Sequence, residues 1–191
     1  MEPTITALNV GTGNMVSENE MGVFVIRNDG DRSMTVERLR FEVSGAWDFP
    51  GNFGPKNFKL DRADPTTGAR IANTLRNGSP INAVQLNGLN ANDIVSSGSV
   101  LEVNIAAVMH EEIAARSSKA YVLLADTTQI KNTSISSSAS TQVRMLGQKA
   151  SPVSTFTDGL VWSYTRTATG QQSGALTISD SYIVPGKNLL Y

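Results

Sequence analysis

The chain has 191 residues, with 16 Lys plus Arg against 17 Asp plus Glu and a formal charge of -1; this length fits one large domain, and the lack of a net positive field makes nucleic acid and anionic membrane surfaces unexpected partners. Cysteine is absent, which excludes disulfide staples and thiolate metal sites and leaves stability to apolar packing and subunit contacts. No run reaches the roughly 18 apolar residues of a membrane span, and residues 1–10 lack the basic-then-apolar pattern of a signal peptide, so an exported form has had its leader removed or replaced.

The hydrophobic pattern predicts strands from the start of the chain. Residues 4–10 alternate Ile5 and Leu8 with polar neighbours, and residues 21–27 hold the compact run Val23, Phe24, Val25, Ile26, short enough for a buried strand. Gly11-Thr12-Gly13-Asn14 between them reads as a hairpin turn, and Asn28-Asp29-Gly30-Asp31 after them as a second turn. Leu39, Phe41 and Val43 alternate with Arg40 and Glu42, placing three apolar side chains on one sheet face. The Gly- and Pro-rich stretch 44–55 is a loop whose Trp47, Phe49 and Phe53 are expected to fold back over the end of a sandwich.

Further strands are predicted at 58–61, 69–72 and 83–86, separated by the turns Asp64-Pro65-Thr66-Thr67-Gly68 and Asn77-Gly78-Ser79-Pro80. The segments 100–105 and 120–125 read as paired core strands. Between them, residues 108–116 carry helical character, with Glu112 and Arg116 spaced to pair across one turn. Residues 134–140 are serine-rich and exposed, and strands follow at 141–146, 160–165, 175–179 and 182–184. About ten short strands and at most one short helix make an all-β protein, an antiparallel β-sandwich of Ig-like or jelly-roll-like form. Residues 1–150 form its core domain, and 151–191 are C-terminal strands of that domain or an arm on a neighbouring subunit.

Reactive groups are scarce. The one histidine, His110, opens a His110-Glu111-Glu112 sequence, but Ala114 stands where the second ligand of an H-E-x-x-H zinc site belongs. No nucleophile elbow, complete dinucleotide fingerprint or phosphate loop occurs. No enzyme and no cofactor are therefore expected. Oxygen-bearing turns make Asp29, Asp31, Asp61 and Asp64 weak calcium candidates, set against the ordinary use of Asp as a turn residue. Asn77-Gly78-Ser79 and Asn132-Thr133-Ser134 match the glycosylation sequon, a pattern common by chance.

Several stretches resemble the β-sandwich modules of bacterial cell-surface and extracellular filament proteins. They are residues 39–45 ending in Val-Ser-Gly, residues 113–126 with Ser-Ser-Lys and a closing Ala-Asp, Val161-Trp162-Ser163-Tyr164, and residues 179–186; together the likeness covers about half of the chain. The chain is expected to depart from that pattern in lacking tandem copies, a leader and an anchor, which counts against attachment to a cell wall. The resemblance implies self-association on the outside of a cell and no catalysis.

The expected function is a structural, self-assembling subunit of an extracellular surface layer or filament, its partners being copies of itself and its place the cell surface. The alternative is a phage virion protein (capsid, decoration or tail subunit). Ile5 and Leu8 at the start, and Ile183, Leu189, Leu190 and Tyr191 at the end, are the candidate subunit contacts, through strand exchange with a neighbour's sheet.

Overall fold

The computed structural model describes residues 3–47, 53–86, 93–134, 138–146, 160–164, 176–177 and 183–191. They form two antiparallel sheets and no α-helix. The strand segments are β1 (Thr4–Leu8), β2 (Asn19–Arg27), β3 (Met34–Ala46), β4 (Lys56–Ala63), β5 (Arg70–Ile71), β6 (Ile81–Asn82), β7 (Val84–Gln85), β8 (Ser99–Asn104), β9 (Glu112–Ile113), β10 (Ser118–Asp126), β11 (Ser140–Leu146), β12 (Val161–Tyr164), β13 (Leu176–Thr177) and β14 (Ile183–Leu190). One sheet runs β1-β2-β10-β4-β5, with β6 also on β4; the other runs β13-β12-β3-β11-β14, with β8 and β9 on β3 and β7 outside β8.

Several lines of the sandwich are strands broken once. On one edge of β3, β11 pairs with residues 41–46 and β12 with residues 34–38; on the other edge, β8 and β9 divide the strand in the same way. β5 and β6 likewise share the free edge of β4. Taking each such pair as one line brings the number of strands close to the ten or so that the sequence predicts. The described strands from the last forty residues belong to the sheet that contains β3, β12 pairing with β3 and β14 with β11.

Period-2 alternation builds the core, and bulges shift its phase. In β3 the inward residues are Met34 and Val36 and then Leu39, Phe41 and Val43, a switch from even to odd. The extra residue is Glu37, which β12 skips and whose carbonyl accepts the N–H groups of both Ile105 and Ala106. In β2 the register slips between Glu20 and Gly22, so Met21 joins Phe24 and Ile26 in the core. Phe24 of one sheet meets Phe41 of the other with ring centroids 5.5 Å apart, a tilted contact worth about 0.5–1.5 kcal/mol beyond area burial.

The six-stranded sheet is apolar on its outer face too. Val23, Val25, Ala63, Ala120, Val122 and Leu124 form a second buried cluster there, joined by Leu8 and Val10. This is why β2 and β10 read as continuous apolar runs rather than alternating ones. The turn at residues 64–68 reaches this patch: Gly68 has φ +75°, and a Cβ on it would lie 3.0 Å from Val10 and 3.2 Å from Leu8.

The helix expected at residues 108–116 is not formed. Residues 105–108 make a turn, and Glu112–Ile113 is strand β9. Arg116 sits at φ +55°, and Glu112 lies 3.6 Å from His110 instead of pairing with Arg116. Burial decides the conformation: Ile113 fills the core and Glu111 is drawn between the sheets, which overrides weak helix propensity. Gly11 to Asn14 is likewise no tight hairpin turn but part of a longer connection, residues 9–18, that crosses one end of the sandwich.

Candidate functional site

The two terminal strands lie together on one side of the sandwich, β1 as the edge of one sheet and β14 as the edge of the other. In β1 the alternation is complete. Ile5 is buried in the main core and Ala7 packs against it, while Thr4 and Thr6 are exposed on the opposite face beside Leu8. Thr4 Oγ1 donates to Asp29 Oδ2 at 2.5 Å, fastening the start of the strand to the β2–β3 connection.

β14 is held by its own chain. Leu189 is buried in the core, Ile183 pairs with Leu146, and Leu190 is 72 % exposed. The Tyr191 hydroxyl accepts from Asn19 Nδ2 at 3.0 Å and lies 3.2 Å from Thr141 Oγ1. Burial pushes its pKa up, partly offset by the bonds to Thr141 and Asn19. Lys187 Nζ donates to the Gly11 carbonyl at 3.0 Å. A Cβ on Gly13 would fall 1.7 Å from the Leu190 carbonyl, so the 9–18 connection needs glycine to lie this close to β14. Of the six candidate contact residues, Ile5, Leu8, Leu189 and Tyr191 are thus packed within the chain's own sandwich.

The four acidic candidates do not converge. Asp29 is bound by Arg27 at 2.7 Å and by Thr4, while Asp31 is exposed. Asp64 Oδ1 accepts the N–H groups of Thr66 and Thr67 at 2.8 and 2.7 Å, the side-chain cap of a turn. Asp61 is fully buried, at the place where β5 and β6 part along β4. Its two oxygens accept the N–H groups of Asn73 (2.8 Å), Thr74 (3.2 Å) and Arg62 (2.9 Å) and the Arg70 Nε (3.1 Å). Burial pushes this carboxyl up, but the bonds from Asn73, Arg62, Thr74 and Arg70 outweigh it and hold the pKa below the usual value. Arg70 also reaches Glu18 at 2.7 Å, so one guanidinium ties the 9–18 connection to the broken edge. Among the described residues, no three His, Asp or Glu side chains gather as a metal would require.

Sequence reasoning missed the most buried acid outside this edge. Glu111 stands between the sheets, bonded to Arg62, to Lys119 Nζ at 3.1 Å and to the Tyr121 hydroxyl at 3.0 Å. Burial, together with the Glu111 charge, raises the Tyr121 pKa well above its usual value. The signal was present: Glu111 and Ile113 point inward while His110 and Glu112 are exposed, a period of two that a Glu in an inward position disguises. Asn28 is a second missed anchor, its amide donating to the carbonyls of Arg32, Ile113 and Ala114 at the crossing between sheets.

Two cavities lined by described residues are open to solvent. One, of about 230 Å³, is lined by Gly45, Ala46, Trp47, Ser96 and Ser97; Trp47 also packs against the core, and Phe53 is half-buried, while Phe49 lies outside the described residues. Trp162 is buried in the core. The other cavity, of about 530 Å³, is polar, with Glu18, Asn57, Lys59, Asn82 and Asp126 among its lining. No helix of the described residues is long and apolar enough to cross a membrane. In comparisons with known proteins, no family model and no curated sequence matches the chain.

Proposed function

We propose that this protein is a structural subunit that assembles with copies of itself outside the cell, as a surface layer or filament. The observation that carries the reading is the open edge of β1, which no strand among the described residues covers. Unpaired main-chain donors and acceptors on an edge are a template for another chain, and natural sheets block them where association is not wanted. The ionisable side chains support the same reading. Asp61, Arg70, Glu111 and Arg62 pair with one another or with backbone at the joints of the sandwich, rather than facing a shared cleft.

The test is the size and shape of the purified protein as its concentration rises, by sedimentation velocity and negative-stain electron microscopy. The expected result is growth into open layers or helical filaments, with surface labelling of intact cells by antibody. A monomer at every concentration contradicts the reading; closed icosahedral particles or rings move it to a virion component.

A further inference from the structure

The edges of the two sheets differ in how they are guarded. β5, β6, β7, β9 and β13 are each two residues long. β14 is longer, but Pro185 has no N–H to offer, the ladder slips where Val143 faces Gly186 and Lys187, and Lys187 is exposed; proline, a bulge and a lysine are the usual means of blocking an edge. β1 has none of these. Its five residues, Thr-Ile-Thr-Ala-Leu, run in unbroken register with β2 and carry no charge.

The open stretch has fixed ends. Pro3, just before it, has no amide hydrogen, and the Leu8 carbonyl already accepts the N–H of Val10 at 2.9 Å. The middle of what remains is Thr6. An antiparallel pair about that point sets Thr6 against Thr6, Ile5 against Ala7 and Thr4 against Leu8. Directly opposed residues share a face, so large meets small on the core side, Thr meets Thr on the outer side, and no like charges meet.

We propose that a second copy of this chain binds here, the two β1 strands pairing antiparallel about a two-fold axis at Thr6 and joining two six-stranded sheets into one. The inference rests on the reading as a self-assembling subunit and names its first contact: a two-fold pair closes at two copies, and open growth joins these dimers through a further contact that the dimers make. A ladder this short falls below the roughly 1,200 Å² of stable complexes, so the contact is reversible and gains persistence where copies are held close.

The chain's lack of cysteine makes the test direct. Residues opposed in an antiparallel pair have Cα atoms about 4.5–5.5 Å apart, within disulfide reach, whereas the two Thr4 residues of the pair stand roughly 14 Å apart. Single variants Thr6→Cys, Thr4→Cys and, on the opposite edge, Ile71→Cys are oxidised mildly at a concentration where the wild type associates. The expected result is a covalent dimer from Thr6→Cys at least ten-fold faster than from either control. In addition, Thr6→Lys and Thr6→Asp each remain monomeric, and their equal mixture associates. Equal crosslinking of all three cysteine variants, with the wild type still associating, overturns this interface and leaves the assembly reading intact. A wild type that stays monomeric, with no excess of Thr6→Cys dimer, overturns both.

Discussion

Along the β4 side of the six-stranded sheet, β5 and β6 cover the edge in two pieces, and the Asp61 carboxylate takes up the N–H groups of Asn73 and Thr74 where the pieces part. Along the opposite side, β1 ends the sheet with Thr4 and Thr6 exposed and with no described strand hydrogen-bonded to its outer edge, although β14 of the other sheet lies close by. One edge is closed by a buried charge that its own chain satisfies; the other carries no further strand among the described residues. The contrast separates an edge that stabilises the monomer from the one at which we propose a partner binds.

The largest effect should come from the closed edge. Asp61→Ala takes this acceptor from the Arg70 guanidinium and from the N–H groups of Arg62, Asn73 and Thr74, and breaking such a buried charged contact costs about 3–5 kcal/mol; urea denaturation measures it. Acid should act on the same group. Because the folded-state pKa of Asp61 lies below its unfolded value, its contribution is fully present above about pH 4 and is lost as pH falls through the lower folded value. Asp61→Asn should therefore be less stable than wild type at neutral pH and lose less on acidification over that window, as thermal melts across pH 2–5, roughly the range around the carboxylate values, would show.

Next comes the joint between sheets. Glu111→Gln removes the charge that Arg62, Lys119 and Tyr121 share, at a cost of about 1–3 kcal/mol, with little change at either edge. Tyr191→Phe deletes the hydroxyl that links Asn19 to Thr141 and should cost about 1 kcal/mol, loosening β14 without freeing it, because Leu189 stays in the core.

How much of this was legible in the sequence depends on which force set each element. The runs at Val23 to Ile26 and at Tyr121 to Leu124 are buried on both faces, and apolar composition alone marks them as central strands. The alternation of Leu39, Phe41 and Val43 was readable, but the extension of β3 back to Met34 was not, because the bulge at Glu37 inverts the phase and hides the continuity. The helix at residues 108–116 was misread for the related reason that an inward Glu111 looks like a surface residue until its partners on β4 and β10 are known. At the candidate site, Ile5 and Leu189 were marked by hydrophobicity, and their docking into this chain's own core depends on sheet order, which no local pattern encodes. Asp61 was marked by residue type alone, and its donors come from residues up to 13 positions away.

That docking also changes how the β1 edge is probed. Deleting residues 1–10 would remove Ile5 from the core and uncover the outer apolar patch that Leu8 and Val10 protect, so lost assembly could reflect lost folding. Thr6→Lys is the smaller and cleaner perturbation: Thr6 is exposed, and a surface change of this kind stays within about 0.5 kcal/mol of wild-type stability.

Sedimentation velocity of the wild type and Thr6→Lys over the same concentration series therefore puts the open edge to its most direct test. The account predicts a wild-type sedimentation coefficient that climbs with concentration and a variant that stays at the monomer value with an unchanged melting temperature. Matching climbs for the two proteins would contradict it.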